Sequence, residues 1–113
     1  MNIEVVEERD NNVLVLLPVD RLDSTNAQKF ESMVMEHIIK GEQRMIVDFS
    51  RLDFISSSGL RVLLIAAKKL SASQGKLVLC NMRDHIREIF VISGFDRIIS
   101  IQESRQTALA LFT

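Results

Sequence analysis

From Ala27 to Gly94 the hydrophobic pattern switches repeatedly between two periods, and this constrains the fold more than any other feature of the chain. Ala27, Phe30, Val34 and Ile38 recur at three and four, one apolar stripe of a helix that stops near Gly41. Met45–Phe49 is a short apolar run with Asp48 inside it, the pattern of an inner strand. Leu60, Leu63, Leu64 and Ala67 mark a second helix ending before Gly75. Leu77–Cys80 is an unbroken apolar run of strand length, as expected of a strand covered on both faces. Ile86, Ile89 and Phe90 mark a third helix closed by Gly94. Ile98–Ile101 reads as an edge strand, and Ala108, Leu109 and Phe112 as a last helix capped by Ser104.

Upstream the period is two. Ile3 and Val5 alternate with Asn2 and Glu4, and Val13–Leu17 follows after Asp10-Asn11-Asn12, residues that tolerate the positive φ of a tight turn. The pair predicts an antiparallel hairpin. The element order β-β-α-β-α-β-α-β-α implies right-handed crossovers. The expected fold is α/β: a single domain over residues 1–113, with a mixed, mostly parallel sheet of four to five strands, an N-terminal antiparallel hairpin and four helices. Periodicity does not choose between helices on one face of the sheet and helices on both. A helix start is expected at Asp23 or Ser24, either of which can cap the first turn.

Composition removes several functions. Fourteen Lys+Arg against 15 Asp+Glu give a net charge of −1, which leaves no basic surplus to neutralise nucleic-acid phosphates. The longest apolar run is Val13–Val19, far short of the roughly 20 residues that cross a bilayer. With no basic start leading into a secretory apolar stretch, a cytoplasmic location is expected. A single Cys excludes an internal disulfide and a multi-thiolate zinc site.

Catalytic motifs fail in turn. The sequence holds neither a GxxxxGK[ST] phosphate loop nor a GxGxxG turn. Ser58 is no nucleophile elbow, because Ser56 and Leu60 stand where GxSxG needs glycine. His37 and His85 are the only imidazoles, without an acidic cluster to complete a metal site. Cys80 ends an apolar strand and reads as a buried, inert thiol. The expectation is no enzyme, no metal and no cofactor.

The informative stretch is Asp48-Phe49-Ser50-Arg51-Leu52-Asp53-Phe54-Ile55-Ser56-Ser57-Ser58-Gly59-Leu60: an inner strand, a short loop, three serines and an apolar helix. Serines at a helix start also have a plain structural use, since any of them can satisfy the orphan N–H groups.

This segment resembles the signature of the STAS domain, and within it of the bacterial anti-sigma factor antagonists. Those proteins carry a strand ending in Asp-x-Ser, then a hydrophobic pair and Asp-Ser-Ser-Gly-Leu. Pro18-Val19-Asp20-Arg21-Leu22-Asp23 is similar to the family's Gly-x-Leu-Asp turn, and Ile92-Ser93-Gly94-Phe95 to a late turn of the same family. Ser56 stands where the family most often has Asp, and Pro18 where its turn often has Gly.

The resemblance implies a regulatory switch. An unphosphorylated antagonist binds an anti-sigma factor with serine kinase activity and so frees a sigma factor. The kinase phosphorylates the serine before the Gly, and a metal-dependent Ser/Thr phosphatase restores the active form. Carried over, the acceptor is Ser58, with Ser57 as second choice. The implied partner-binding residues are Leu22, Asp23, Ser24, Ser56, Ser57, Gly59, Leu60 and Arg61. In a parallel sheet the loops after the strands share one edge. Leu22–Ser24, Ile55–Arg61 and Asn81–Asp84 are therefore expected together, in a protein that is a monomer when free. Val62, Ile65 and Ala66 lie outside the helical stripe, either buried by neighbouring helices or available to a partner. The other implied function is a STAS scaffold subunit in a stress-signalling assembly or a lipid transporter.

Overall fold

A computed structural model describes residues 2–113 of the chain. In chain order its elements are β1 (Val5–Asp10), β2 (Val13–Pro18), β3 (Asp20–Leu22), α1 (Ala27–Ile39), β4 (Arg44–Asp48), β5 (Leu52–Ile55), α2 (Ser57–Ala72), β6 (Lys76–Cys80), α3 (Asp84–Ser93), a 3-10 turn (Phe95–Arg97), β7 (Ser100–Gln102) and α4 (Arg105–Ala110). Five strands form one sheet in the order β1-β2-β4-β6-β7, antiparallel between β1 and β2 and parallel elsewhere. The expected hairpin turns at Asn11 and Asn12, with φ of 52° and 66°. Ile3 lies before the strand, packed against the core.

The side-chain alternation of the strands sorts the core into two layers. Leu14, Leu16, Met45, Val47, Leu77 and Leu79 pack with Phe30 and Val34 of α1, Leu63 and Leu70 of α2, and Ile86 and Phe90 of α3. Val13, Val15, Leu17, Ile46, Val78 and Cys80 point the other way and meet Ala108, Leu109 and Phe112 around α4. Three helices therefore share one face and one helix covers the other. Phe49, just past β4, meets Phe90 edge to face at a centroid distance of 6.0 Å, which ties α3 to the sheet end.

Four expectations are corrected. The buried face of α2 is Gly59, Leu60, Val62, Leu63, Ala66 and Leu70, with Leu64 and Ala67 only half-buried, because the helix packs on α1 as well as on the sheet. Val62 and Ala66 are thus core residues, and Ile65 is half-buried. The last strand is shorter than Ile98–Ile101: Gly94 takes φ of 80°, a 3-10 turn follows, and Ile98 is left largely exposed. The first helix starts at Ala27, with Asn26 rather than Asp23 or Ser24 at its N-cap. Finally, β3 and β5 form a two-stranded parallel ribbon where only turns were expected.

Candidate functional site

The ribbon is what brings the candidate residues together. Leu22 is in register with Ile55, and the Leu22 carbonyl accepts from the Ser56 backbone N–H at 2.9 Å. Both strands therefore end side by side, one leading into the Asp23 turn and the other into α2. Gly59 sits over the junction. A Cβ there would lie 2.8 Å from Ile55 Cγ1, 2.9 Å from Leu22 Cγ and 3.0 Å from the Leu22 carbonyl oxygen, so the close approach requires glycine. Leu22, Gly59 and Leu60 are buried and shape this edge from beneath.

The three serines have separate positions. Ser56 is the N-cap of α2 (φ −97°, ψ 174°), and its hydroxyl accepts from the Gly59 N–H at 3.4 Å. The cap role thus falls to the residue that stands where the STAS signature has Asp. Ser57 is exposed and Ser58 half-buried on the first helical turn. Ser58 lines a groove of about 460 Å³ between α1 and α2, with Ser24, Gln28, Glu31, Arg61 and Ile65 among its walls. The dipole and N–H groups of a helix start favour negative charge here.

On the α1 side the Asp23 carboxylate organises the turn before the helix. It accepts from the Thr25 N–H at 2.9 Å, the Thr25 hydroxyl at 2.5 Å and Arg21 Nε at 2.7 Å. These bonds hold its carboxyl below the ordinary range, the Thr25 hydroxyl contributing most, then the Thr25 N–H, then Arg21. Buried Asn26 locks the same turn from inside. Its carbonyl accepts from the Asp23 N–H and its amide donates to the Arg21 carbonyl, both at 2.9 Å. The Arg21 guanidinium also lies 5.0 Å from the ring centroid of Phe54, so the ribbon shows an exposed cation–aromatic pair beside the serines. The residue of this turn with left-handed backbone is Asp20, at φ of 72°, whereas Pro18 ends β2. The position that calls for glycine is therefore Asp20, not Pro18.

The third expected segment, Asn81–Asp84, touches the edge one step back from the serines. Arg83 donates to the Leu52 carbonyl at 3.1 Å and pairs with Asp53 at 3.1 Å. His85 Nε2 lies 2.6 Å from the Asp53 carbonyl, so that nitrogen carries the hydrogen. His37 is elsewhere, 3.1 Å from Glu7. Cys80 is fully buried under α4, and burial pushes its thiol up to about 12. Among the described residues, no three His, Cys, Asp or Glu side chains are grouped to hold a metal ion. No helix among them is long and apolar enough to cross a membrane.

The model of the STAS domain family matches residues 4–108. The chain belongs to the STAS family. Among STAS relatives it is 47% identical over 91 residues to BtrV of Bordetella bronchiseptica, assigned as an anti-sigma factor antagonist, covering 80% of this chain and 78% of that one. A Thermotoga maritima protein with the same assignment superposes with a TM-score of 0.90 at 23% identity, over 94% of this chain and 92% of its own. SpoIIAA of Bacillus has the same STAS fold in its unphosphorylated form (TM-score 0.73, 19% identity, 96% and 94% covered) and in its phosphorylated form (TM-score 0.75, 22% identity, 97% and 100% covered).

Within this STAS edge, sequence reasoning missed Asn26, Arg21 and Phe54. Asn26 and Arg21 carry no periodic signal, and Phe54 reads as one more core aromatic until the ribbon turns it outward.

Proposed function

We propose that the chain is an anti-sigma factor antagonist switched by phosphorylation of Ser58. The observation that carries this reading is the division of labour among the serines: Ser56 caps α2, which leaves Ser58 on the first turn without that structural task. Unmodified, the chain binds an anti-sigma factor with serine kinase activity. The contact surface is Asp23, Ser24, Ser57 and Arg61, with Leu22, Gly59 and Leu60 as its buried support. Ser57 is the second-choice acceptor.

Phosphorylation adds about −1.5 to −2 charges and three acceptor oxygens. At the start of α2 these meet favourable N–H groups, so the fold keeps its shape, and a fold of this kind holds a phosphorylated form in SpoIIAA. The change is then felt by the partner, through repulsion and a clash at the contact. A metal-dependent Ser/Thr phosphatase reverses it. No catalytic step is assigned to this chain, which acts as a cytoplasmic regulatory binding protein, a monomer when free and one STAS domain over residues 1–113.

The test is capture from lysate with unmodified and Ser58→Asp protein, followed by incubation of the captured partner with ATP. The expected result is a serine kinase held by the unmodified chain alone, which labels Ser58 once and leaves Ser58→Ala unlabelled. Equal capture by both forms, or labelling of Ser56 or Ser57 in Ser58→Ala, would overturn the assignment.

A further inference from the structure

Among the described residues Asp48 is the only carboxylate buried in the core, at 2% exposure. It ends β4 and points to the α4 side of the sheet. Its Oδ1 accepts from the Ser50 N–H at 2.9 Å and from Asn81 Nδ2 at 3.1 Å. Its Oδ2 accepts from Arg105 Nε at 3.2 Å, and Arg105 Nη1 donates to Glu8 Oε1 of β1 at 2.6 Å. One carboxylate thus joins the turn into β5, the connection into α3, the first residue of α4 and, through Arg105, the outer strand. Stability alone gives little reason for it, because well-packed apolar side chains often replace a buried ion pair without loss.

The two connections it holds are the ones that build the serine edge. Ser50 opens the turn into β5, whose end passes directly to Ser56. Asn81, at φ of 58°, opens the connection carrying Arg83, which reaches back to the Leu52 carbonyl and Asp53. Hydrogen bonds joined by short lengths of backbone therefore link α4 through Asp48 to β5 and on to the Leu22–Ser56 junction. We propose that Asp48 and Arg105 are positioning residues: a clasp by which α4 and β1 fix, from the far face of the sheet, the two connections on which the partner-binding edge is built. The consequence for binding rests on the reading of that edge given above; the clasp itself does not.

Hydrogen exchange followed by NMR on the full chain tests it, with Arg105→Gln, Asp48→Asn and the double variant. The expected result for Arg105→Gln is exchange at least about tenfold faster at Ser50–Phe54 and Asn81–His85, with Ile46 and Val78 unchanged, since central-strand amides report global opening. The double variant is expected to loosen these segments no further than the worse single one, because the pair acts as one device. A uniform rise that includes Ile46 and Val78, or no local change, would overturn the clasp. So would additive effects in the double variant. Capture of the kinase is measured in parallel at a temperature where every variant is folded. Weaker capture is expected with the local loosening. Local loosening with undiminished capture would leave the clasp standing and sink the reading of this edge as the docking surface.

Discussion

Leu22 and Ser56 are joined by a backbone hydrogen bond of 2.9 Å, made by the last residue of β3 and the cap of α2. The bond holds the Asp23 turn beside the serine turn, far as they lie apart in the chain. The two turns therefore present one edge of the fold, so substitutions at either act on the same surface.

Gly59→Ala tests the tightness of that junction. Alanine favours a helix over glycine by about 1 kcal/mol. Here its methyl would press on Ile55, Leu22 and the Leu22 carbonyl at 3.0 Å or less. Overpacking of this kind costs about 1–3 kcal/mol. The expected outcome is a lower melting temperature with weaker partner capture; a variant as stable as the parent or more so would show that the junction can give way.

Ser58→Asp separates a switch from a folding element. An anion on the first turn of α2 stabilises the helix by about 0.3–1 kcal/mol when exposed. Calorimetry is expected to show an unchanged or slightly raised melting temperature, while partner capture is lost. Unfolding of the variant would mean that the site cannot accept charge.

Asp23→Asn removes a charge while keeping an acceptor for the Thr25 N–H. At neutral pH the variant is expected to melt at or just below the parent temperature, yet to bind the kinase about tenfold more weakly or worse. The pH dependence has a definite sign. Because the folded carboxyl is held below its ordinary value, any stability it gives is present above about pH 4 and lost as pH falls through the folded value. The two melting curves should converge in acid; a gap that widens there would contradict the hydrogen bonds assigned to Thr25.

Cys80 gives a prediction with the opposite sign. Its thiol titrates near 12 in the fold and near 9 when free, so stability declines as pH rises from about 9 towards 12. Native protein at pH 8 should react with a thiol reagent only at the rate of opening, and a fast reaction would show that α4 does not seal the site.

The sequence carried the strands and helices whose periodicity was long enough to read: the Asn11-Asn12 hairpin, the buried runs at 45–48 and 77–80, and the end of α3 at Gly94. What escaped was the ribbon. Asp20-Arg21-Leu22 has three residues, and Leu52–Ile55 buries only its first and last, so neither alternates. The cap at Asn26 was missed because its side chain faces backward into the Asp23 turn instead of capping the helix. The serine motif was legible as a pattern, but that Ser56 is the one that caps α2 needed the three-dimensional structure.

The six-residue α4 has a consequence out of proportion to its length. Among the described residues it is the only helix over the face made by Val13, Val15, Leu17, Ile46, Val78 and Cys80. Without residues 104–113 that apolar surface would lie open to water and to other copies of itself. The cover of that face therefore rests on one short segment, and loss of it would expose an apolar sheet surface of the kind that drives association, while every strand, the serine turn and the Asp23 turn kept their own residues.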